Sequence, residues 1–203
     1  MHKGNVKGTK WPPEEYTPDE LMRLIQGCGS ERAVQLRNRA LVVVLWAGMA
    51  RIDEALSMLP HDYIGDTGGA GELYIRRGKG CKPRRVALSP DMAPMVEEHV
   101  AARVKMGFAG DVPLFCTGTG RKMDKDNVRK WIQGLGVRLG ITKPMRCHDL
   151  RRSGAMKLMR AGIPIGIISR AMGHSSVSTT ARYLTTTGDM EVLEAMKGMT
   201  WAA

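Results

Sequence analysis

Residues 72 to 88 hold the one convincing β pattern of this chain, and they constrain its fold more than any other segment. ELYIR at 72–76 and RVAL at 85–88 are short strand-like runs on either side of the turn RGKGCKPR. Two such runs around a glycine-containing turn are typical of a β-hairpin. Because the turn is dense in lysine and arginine, the predicted hairpin has a strongly basic tip.

The segments on both sides of the hairpin are typical of helices. TPDE at 17–20 is a capping box with proline at the first helical position, and it predicts a helix that runs to about Gln26. A second helix is predicted over about 31–46, and Gly48 separates it from a short helix at about 52–56. Further helices are predicted over about 91–106, 125–139, 148–161, 164–171, 176–184 and 189–197. The predicted fold class is therefore mainly α with one small antiparallel β-sheet (α+β).

The composition indicates one basic domain. The chain has 203 residues, 43% of them hydrophobic, which is enough for one sizeable core. Its formal net charge of +11 favours a polyanionic partner, either nucleic acid or an anionic membrane surface. The longest apolar run, about residues 40–50, is too short to cross a bilayer, and MHKGNVKGTKW at the start lacks the apolar stretch of a signal peptide. Nucleic acid is therefore the preferred partner, and no membrane association is expected.

The cysteines and aromatic residues narrow the function classes further. Cys28, Cys81, Cys116 and Cys147 are scattered and include no C-x-x-C pair. This spacing disfavours a zinc site and a disulfide framework, and it favours reduced thiols in a cytoplasm. Aromatic residues make up only 5% of the chain, so stacking of bases on an aromatic platform is not the expected binding mode.

Residues 143–182 carry charge of nearly one sign. The basic residues of this segment are Lys143, Arg146, Arg151, Arg152, Lys157, Arg160, Arg170 and Arg182, and its only acid is Asp149. A solvated helix face would explain the charge, but the segment is also rich in Leu, Ile and Met and must pack against a core. A packed segment with this charge creates a field that favours phosphate.

Three motifs offer candidate chemistry, and each has an ordinary structural explanation when taken alone. His148 and Arg151 share a helix face, where an imidazole can move a proton beside a guanidinium that grips phosphate, although such pairs are usually plain surface. Arg51 follows a glycine break, and Glu54 one turn later either orients it or forms a surface salt bridge of little weight. Lys79 lies between two glycines at the hairpin tip, a position that is common in soluble turns.

The stretch RAMGHSSVSTTARYL at 170–184 supplies a fourth motif. It contains His174 directly after a glycine, and Tyr183 nine positions later on a predicted helix. A single tyrosine is most often a core or interface residue, and the serines and threonines between the two are typical of helix caps and surface. The choice among these hydroxyls therefore depends on the rest of the chain.

Taken in order, the four motifs resemble the tyrosine recombinase (phage integrase) family over about residues 16–197. GMARIDEALSM is similar to the family's first-arginine motif, and RGKGCKPRRVAL is similar to its β-hairpin with the catalytic lysine. HDLRRSGAMKLMRAG is similar to its His-x-x-Arg helix. ISRAMGHSSVSTTARYL is similar to its Leu-Gly-His segment followed by the tyrosine, with Met172 in place of the usual leucine.

The resemblance implies site-specific DNA recombination through a 3′-phosphotyrosyl intermediate on Tyr183. It also implies that Arg51, Arg151 and His174 stabilise the charge that develops on the phosphate oxygens. Preorganised donors of this kind are worth about 3 kcal/mol each at other oxyanion sites. No metal and no ATP are expected, because the arginines neutralise the charge and the covalent link keeps the phosphodiester energy.

Further roles follow from the same resemblance. Lys79 is the expected general acid for the leaving 5′-oxygen, with Lys82 as a second candidate, and His148 is the expected acid/base near the tyrosine. Glu54 is expected to support Arg51. The residues expected to contact double-stranded DNA are Arg76, Arg77, Lys82, Arg84 and Arg152.

The resemblance covers the family's catalytic domain only. Residues 1–15 are predicted to form a flexible basic arm and residues 16–203 the catalytic domain, without a separate N-terminal core-binding domain. The chain is then either an excised domain or a minimal protein, and its DNA binding is expected to be weaker. DMEVLEAMKGM resembles the family's C-terminal helix, which either docks on a neighbouring protomer to form a homo-oligomer on DNA or folds back.

Two alternatives share most of these features. One is a catalytically silent or weakly active DNA-binding regulator built on a recombinase domain, and the other is a type IB-like relaxing enzyme without partner exchange. In each case the expected location is the cytoplasm of a bacterium, near the nucleoid, with the protein encoded by the bacterium or a phage.

Overall fold

The computed structural model describes residues 15–67, 69–76, 83–108, 110–174 and 176–184, and at 66, 67 and 182–184 it describes the course of the backbone. The helices of this part are α1 Pro18–Gly27, α2 Ala33–Trp46, α3 Ile52–Ala55, α4 Ala93–Lys105, α5 Lys125–Arg138, α6 Cys147–Arg160, α7 Ile165–Met172 and α8 Val177–Leu184. The strands are β1 Tyr63–Thr67, β2 Ala70–Ile75 and β3 Arg84–Leu88. They form one antiparallel sheet in the order β1-β2-β3, so the predicted fold class is confirmed.

The core is built around α2. Residues 40–46 of this helix are almost fully buried on all sides, and the helix packs against α1, α4 and α6. The close approach of α6 depends on Gly154, because a Cβ there would lie 2.1 Å from the carbonyl oxygen of Trp46. The turn that follows α2 is therefore held close to α6. These two parts of the chain carry Arg51, His148 and Arg151 of the candidate site.

The predicted capping box begins α1. The Thr17 amide donates to the Glu20 carboxylate at 2.8 Å, and the Glu20 amide donates to the Thr17 hydroxyl at 3.1 Å. Just before this helix, the Tyr16 hydroxyl donates to the Pro144 carbonyl at 2.9 Å and accepts the Arg146 amide at 2.8 Å. Tyr16 thereby fixes the loop that leads into α6.

The sheet differs from the sequence prediction in all three strands. Strand β2 covers Ala70–Ile75, whereas 72–76 was predicted. Strand β1 was not predicted, and it pairs with β2 through Tyr63 opposite Leu73. Strand β3 begins one residue earlier than predicted, and its alternation turns Arg84 inward together with Val86 and Leu88. Because side chains alternate between the two faces of a strand, Arg84 lies on the same buried face as Val86 and Leu88.

Several sequence predictions concern residues outside the described ranges, and others concern the cysteines and membrane association. The N-terminal arm, the turn with Lys79, and the C-terminal helix predicted at 189–197 lie outside the described residues. Among the described cysteines, Cys28, Cys116 and Cys147 are buried free thiols. Within the described ranges, no helix is long and apolar enough to cross a membrane.

Candidate active site

Arg51 and Glu54 form the first element of the site, at the start of α3. Arg51 is the N-cap of this helix, and its amide donates to Glu54 Oε2 at 2.8 Å. Its guanidinium Nη1 donates to Glu54 Oε1 at 3.0 Å, so the predicted contact between the two side chains is confirmed. The Arg51 side chain is 37% exposed and the Glu54 side chain 4%, so the arginine faces the solvent from a buried support.

Glu54 is the centre of a cluster of three arginines. Besides Arg51, it accepts Arg84 Nη2 on Oε2 at 2.8 Å and Arg84 Nη1 on Oε1 at 3.2 Å. Arg151 Nη1 lies 3.6 Å from Oε2. Burial alone would raise the pKa of Glu54, but the hydrogen bonds from Arg84 and the Arg51 amide, with the charges of Arg84 and Arg151, leave it below its ordinary value. The carboxylate is therefore ionised at neutral pH.

Arg151 lies beneath Arg51 in the first half of α6 and is 1% exposed. Its Nη1 donates to the carbonyl of Met49, whose backbone has the left-handed φ of 48°. Its Nη2 donates to the Met172 carbonyl at 2.7 Å and lies 3.1 Å from His174 Nε2. One guanidinium thus joins the turn before α3, helix α6 and the end of α7.

His174 follows a left-handed glycine that ends α7. Gly173 has φ 66°, and its amide donates to the Arg170 carbonyl at 2.9 Å. The His174 amide donates to the Ser169 carbonyl at 3.0 Å, so the loop leaves the helix in a fixed direction. The imidazole Nδ1 lies 2.8 Å from the Thr180 hydroxyl on α8.

The surroundings of His174 keep its imidazole neutral. Burial lowers the pKa of His174 to about 4, and the positive charges of Arg151, Arg51 and Arg84 and the neighbouring His148 lower it in the same direction. The free protein therefore holds a neutral imidazole against a cluster of arginines at pH 7.

His148 lies in the first turn of α6, exposed beside a cleft of about 410 Å³. Loss of water around the ring lowers the pKa of His148, Asp149 raises it, and Arg151, Arg51 and Arg146 lower it. A neutral imidazole at this position can accept a proton at neutral pH.

The cleft has a basic lining that the sequence did not reveal in full. Its polar lining residues are Arg51, Asp53, Arg129, Gln133, Arg146, His148 and Arg151. Arg129 and Gln133 come from α5 and are four residues apart, so they lie on one helix face. That spacing was visible in the predicted helix, but nothing in the sequence indicated which face of α5 meets the cleft. Among the described lining residues, Asp53 is the one acid.

Two of the arginines predicted to contact DNA are buried in the free protein. Arg84 is 7% exposed and Arg152 is 5% exposed. Arg84 is instead committed to Glu54 and to the Ala171 carbonyl, to which its Nε donates at 2.7 Å. The Arg76 side chain is 47% exposed, directly after the end of the central strand β2, and pairs with Asp62 through Nε at 2.8 Å. Its exposure leaves the prediction of a DNA contact open.

The remaining predicted residues are described in part or not at all. Arg77, Lys79 and Lys82 lie outside the described residues. Tyr183 lies on α8, which packs against α6 and α7. The structure thus brings together Arg51, Glu54, His148, Arg151 and His174 from three parts of the chain.

The fold and this cluster define a mainly helical protein with a group of arginines and histidines at a basic cleft. The chain belongs to the phage integrase family, whose family model matches residues 14–189. This match covers every candidate site residue predicted from the sequence.

Curated relatives of the chain are tyrosine recombinases. It is 30% identical over 189 residues to the tyrosine recombinase XerD of Bifidobacterium longum, covering 87% of this chain and 59% of the relative. It is 33% identical over 150 residues to the tyrosine recombinase XerC of Rhodospirillum centenum, covering 74% of this chain and 42% of the relative. The chain therefore spans about half the length of these relatives, 59% of the first and 42% of the second.

Solved structures of recombinases share the fold. The crystal structure of XerA recombinase superposes with a TM-score of 0.78 at 27% identity, covering 95% of this chain and 68% of that one. The XerH site-specific recombinase bound to palindromic difH substrate, a post-cleavage complex, superposes with a TM-score of 0.74 at 25% identity, covering 92% and 53% of the two chains.

Proposed function

We propose that this protein is a tyrosine-type site-specific recombinase that cleaves and rejoins double-stranded DNA through a 3′-phosphotyrosyl intermediate on Tyr183. The observation that carries the proposal is the convergence of Arg51 and Arg151 on the buried Glu54, with His174 in contact with Arg151. Membership of the phage integrase family and similarity to recombinases, including one named as a DNA complex, support the same reaction.

The scissile phosphate would bind in the basic cleft. Arg51 brings a side chain that is 37% exposed, and the buried Arg151 also lines the cleft. Glu54 is a positioning residue, because its carboxylate fixes the backbone amide and the guanidinium of Arg51 before any ligand arrives. Donors fixed in advance stabilise a developing negative charge by about 3 kcal/mol each, since little reorganisation is needed during the reaction.

The assignment of Tyr183 as the nucleophile is supported by the surroundings of the other three tyrosines of the chain, which do not suit this role. Tyr16 is 2% exposed, with its hydroxyl bonded to the loop before α6. Tyr63 bonds Glu97 at 3.0 Å, and burial followed by this carboxylate raises its pKa, which opposes formation of a phenolate. Tyr74 lies on β2 of the sheet. Tyr183 alone belongs to a helix that packs against α6 and α7.

Proton transfers complete the proposed reaction. We assign His148 as the acid/base near the tyrosine, because its lowered pKa leaves the exposed imidazole neutral and able to accept a proton. Lys79, in the segment between β2 and β3, is proposed as the general acid for the leaving 5′-oxygen, with Lys82 as the second candidate. Arg76, Arg77 and Lys82 are proposed to contact DNA.

The organisation of the chain is proposed on the same basis. Residues 16–203 would form the catalytic domain, and residues 1–15 a basic arm that reaches DNA phosphates. The segment at 189–197 would dock on a neighbouring protomer, forming a homo-oligomer on DNA. A cytoplasmic location would follow from DNA as the substrate.

The test is covalent trapping on nicked suicide duplexes of randomised core sequence, read on a denaturing gel. We expect a protein–DNA adduct with the native chain and with Tyr74→Phe, which removes a sheet hydroxyl as a matched control. Tyr183→Phe is expected to abolish the adduct. An adduct that survives in Tyr183→Phe would exclude this nucleophile. A native chain that binds the duplexes without forming any adduct would support the regulator instead.

Strand exchange separates recombination from simple relaxation. Once an adduct is found, its duplex is supplied with a partner strand that carries a free 5′-hydroxyl. We expect the cleaved strand to be transferred from the protein to the 5′-hydroxyl of the partner strand. Resealing of the original strand alone, together with relaxation of supercoiled plasmid, would favour the type IB-like enzyme.

A further inference from the structure

We propose that Thr180 is a positioning residue that couples the tyrosine-bearing helix α8 to the phosphate-binding groups. This inference rests on the proposed function for its catalytic consequence, whereas its structural part stands by itself. Thr180 is fully buried, and its hydroxyl lies 2.8 Å from His174 Nδ1. On the other side of the same ring, His174 Nε2 lies 3.1 Å from Arg151 Nη2.

The direction of the hydrogen bonds that link Arg151, His174 and Thr180 follows from arginine chemistry. A guanidinium has only N–H donors, so Arg151 Nη2 must donate and His174 Nε2 must accept. A neutral imidazole that accepts on Nε2 carries its proton on Nδ1. His174 Nδ1–H therefore donates to the Thr180 hydroxyl oxygen. Arg151 thus sets the tautomer, and Thr180, as the acceptor of Nδ1–H, holds the ring in the orientation that meets Arg151.

The groups that surround the His174 imidazole favour its neutral form. Arg151 and His148 approach from α6, Arg51 from the start of α3, and Arg84 from β3. All of them disfavour a second proton on the ring, and burial lowers its pKa in the same direction. With Nε2 facing Arg151, the neutral ring carries an N–H on Nδ1 that would be costly to leave unpaired, and Thr180 is placed to accept from it.

The consequence concerns the helix that carries Tyr183. Thr180 and Tyr183 are three residues apart on α8, so the position of one is tied to the position of the other. When α8 packs in its observed position, Thr180 accepts the hydrogen bond from His174 Nδ1. His174 Nε2 in turn contacts the Arg151 guanidinium, which would bind the phosphate. Coupling of this kind is reciprocal, so an ordered phosphate site would also favour the seated helix.

The test uses the full chain with Thr180→Val, which keeps the shape but removes the hydroxyl, and Thr180→Ser, which restores it. Thr179→Val, at the exposed neighbouring position, is the matched control. Nitrogen-15 NMR of the ring is expected to report the Nδ1–H tautomer of His174 in the native chain, in Thr180→Ser and in Thr179→Val. In Thr180→Val we expect loss of this pure tautomer. We expect the rate of adduct formation to fall about tenfold in Thr180→Val, the effect of one lost buried hydrogen bond, and to recover to within about threefold in Thr180→Ser.

The outcomes separate this inference from the proposed function. An unchanged Nδ1–H tautomer in a folded Thr180→Val variant would overturn the positioning role, whatever the activity. A changed tautomer with an unchanged rate of adduct formation would overturn the catalytic coupling. If the native chain forms no adduct on any duplex, the proposed function fails while the NMR result still decides the contact. Should Thr180→Val not fold, Thr180→Ala and Thr180→Ser provide the same comparison.

Discussion

Glu54 and Arg84 form a two-pronged ion pair inside the protein, with Oε2 to Nη2 at 2.8 Å and Oε1 to Nη1 at 3.2 Å. Each side chain is 4% exposed, and the pair joins α3 to β3. Arg84 Nε also donates to the Ala171 carbonyl at the end of α7. One guanidinium therefore holds together the elements that carry Arg51, the hairpin and His174.

Loss of the Arg84 charge is expected to destabilise the fold strongly. Arg84→Gln leaves the Glu54 carboxylate buried with less compensation, and breaking a buried pair in this way costs about 3–5 kcal/mol. The free energy of unfolding in urea measures the effect. Arg85→Gln on the same strand is the matched control, because Arg85 is 69% exposed and its pair with Glu72 should contribute under about 1 kcal/mol. Equal effects of the two substitutions would contradict the role assigned to Arg84.

Gly173 is expected to tolerate no side chain. Its φ of 66° is left-handed, and a Cβ would lie 2.7 Å from Arg84 Nη1. Gly173→Ala is therefore expected to lower the free energy of unfolding by about 1–3 kcal/mol and to slow adduct formation, because His174 and Arg84 are both displaced. Gly166→Ala in α7 meets no atom within 4 Å and is expected to be neutral or slightly stabilising. Thermal unfolding of the two variants measures the difference. A lower melting temperature for Gly166→Ala than for Gly173→Ala would contradict this prediction.

Two histidines are expected to make stability depend on pH. The pKa of His99 and that of His174 are each lowered to about 4 from an ordinary 6.5, first by burial. Between these values the unfolded chain binds more protons than the folded one, so the free energy of unfolding rises with pH from about 4 to about 6.5. Urea unfolding across this range measures the slope, and His99→Gln or His174→Gln should each reduce it. NMR titration of either ring near its ordinary value would contradict the prediction.

Local patterns explain how much of the fold and site the sequence could predict. The capping box at Thr17 and Glu20 and the contact between Arg51 and Glu54 join residues within one helical turn, so spacing alone was sufficient. The helices between residues 91 and 184 were predicted because apolar periodicity and glycine or proline breaks are also local signals.

The parts that were missed depend on distant contacts. Strand β1 contains Gly65 and Asp66, which are poor strand formers, and it is stabilised by pairing with β2. The buried Arg84 is paired with Glu54, thirty positions away in the sequence, and no local pattern indicates that contact. The contact between His174 and Thr180 depends on how α8 packs, which no local pattern specifies.

The most direct measurement for the central claim is peptide mapping of the trapped protein–DNA adduct. After nuclease and protease digestion, mass spectrometry locates the residue that carries the nucleotide. We expect a 3′-phosphonucleotide on Tyr183, and none on Tyr16, Tyr63 or Tyr74. A nucleotide attached to any residue other than Tyr183 would contradict the account of this protein as a recombinase with Tyr183 as its nucleophile.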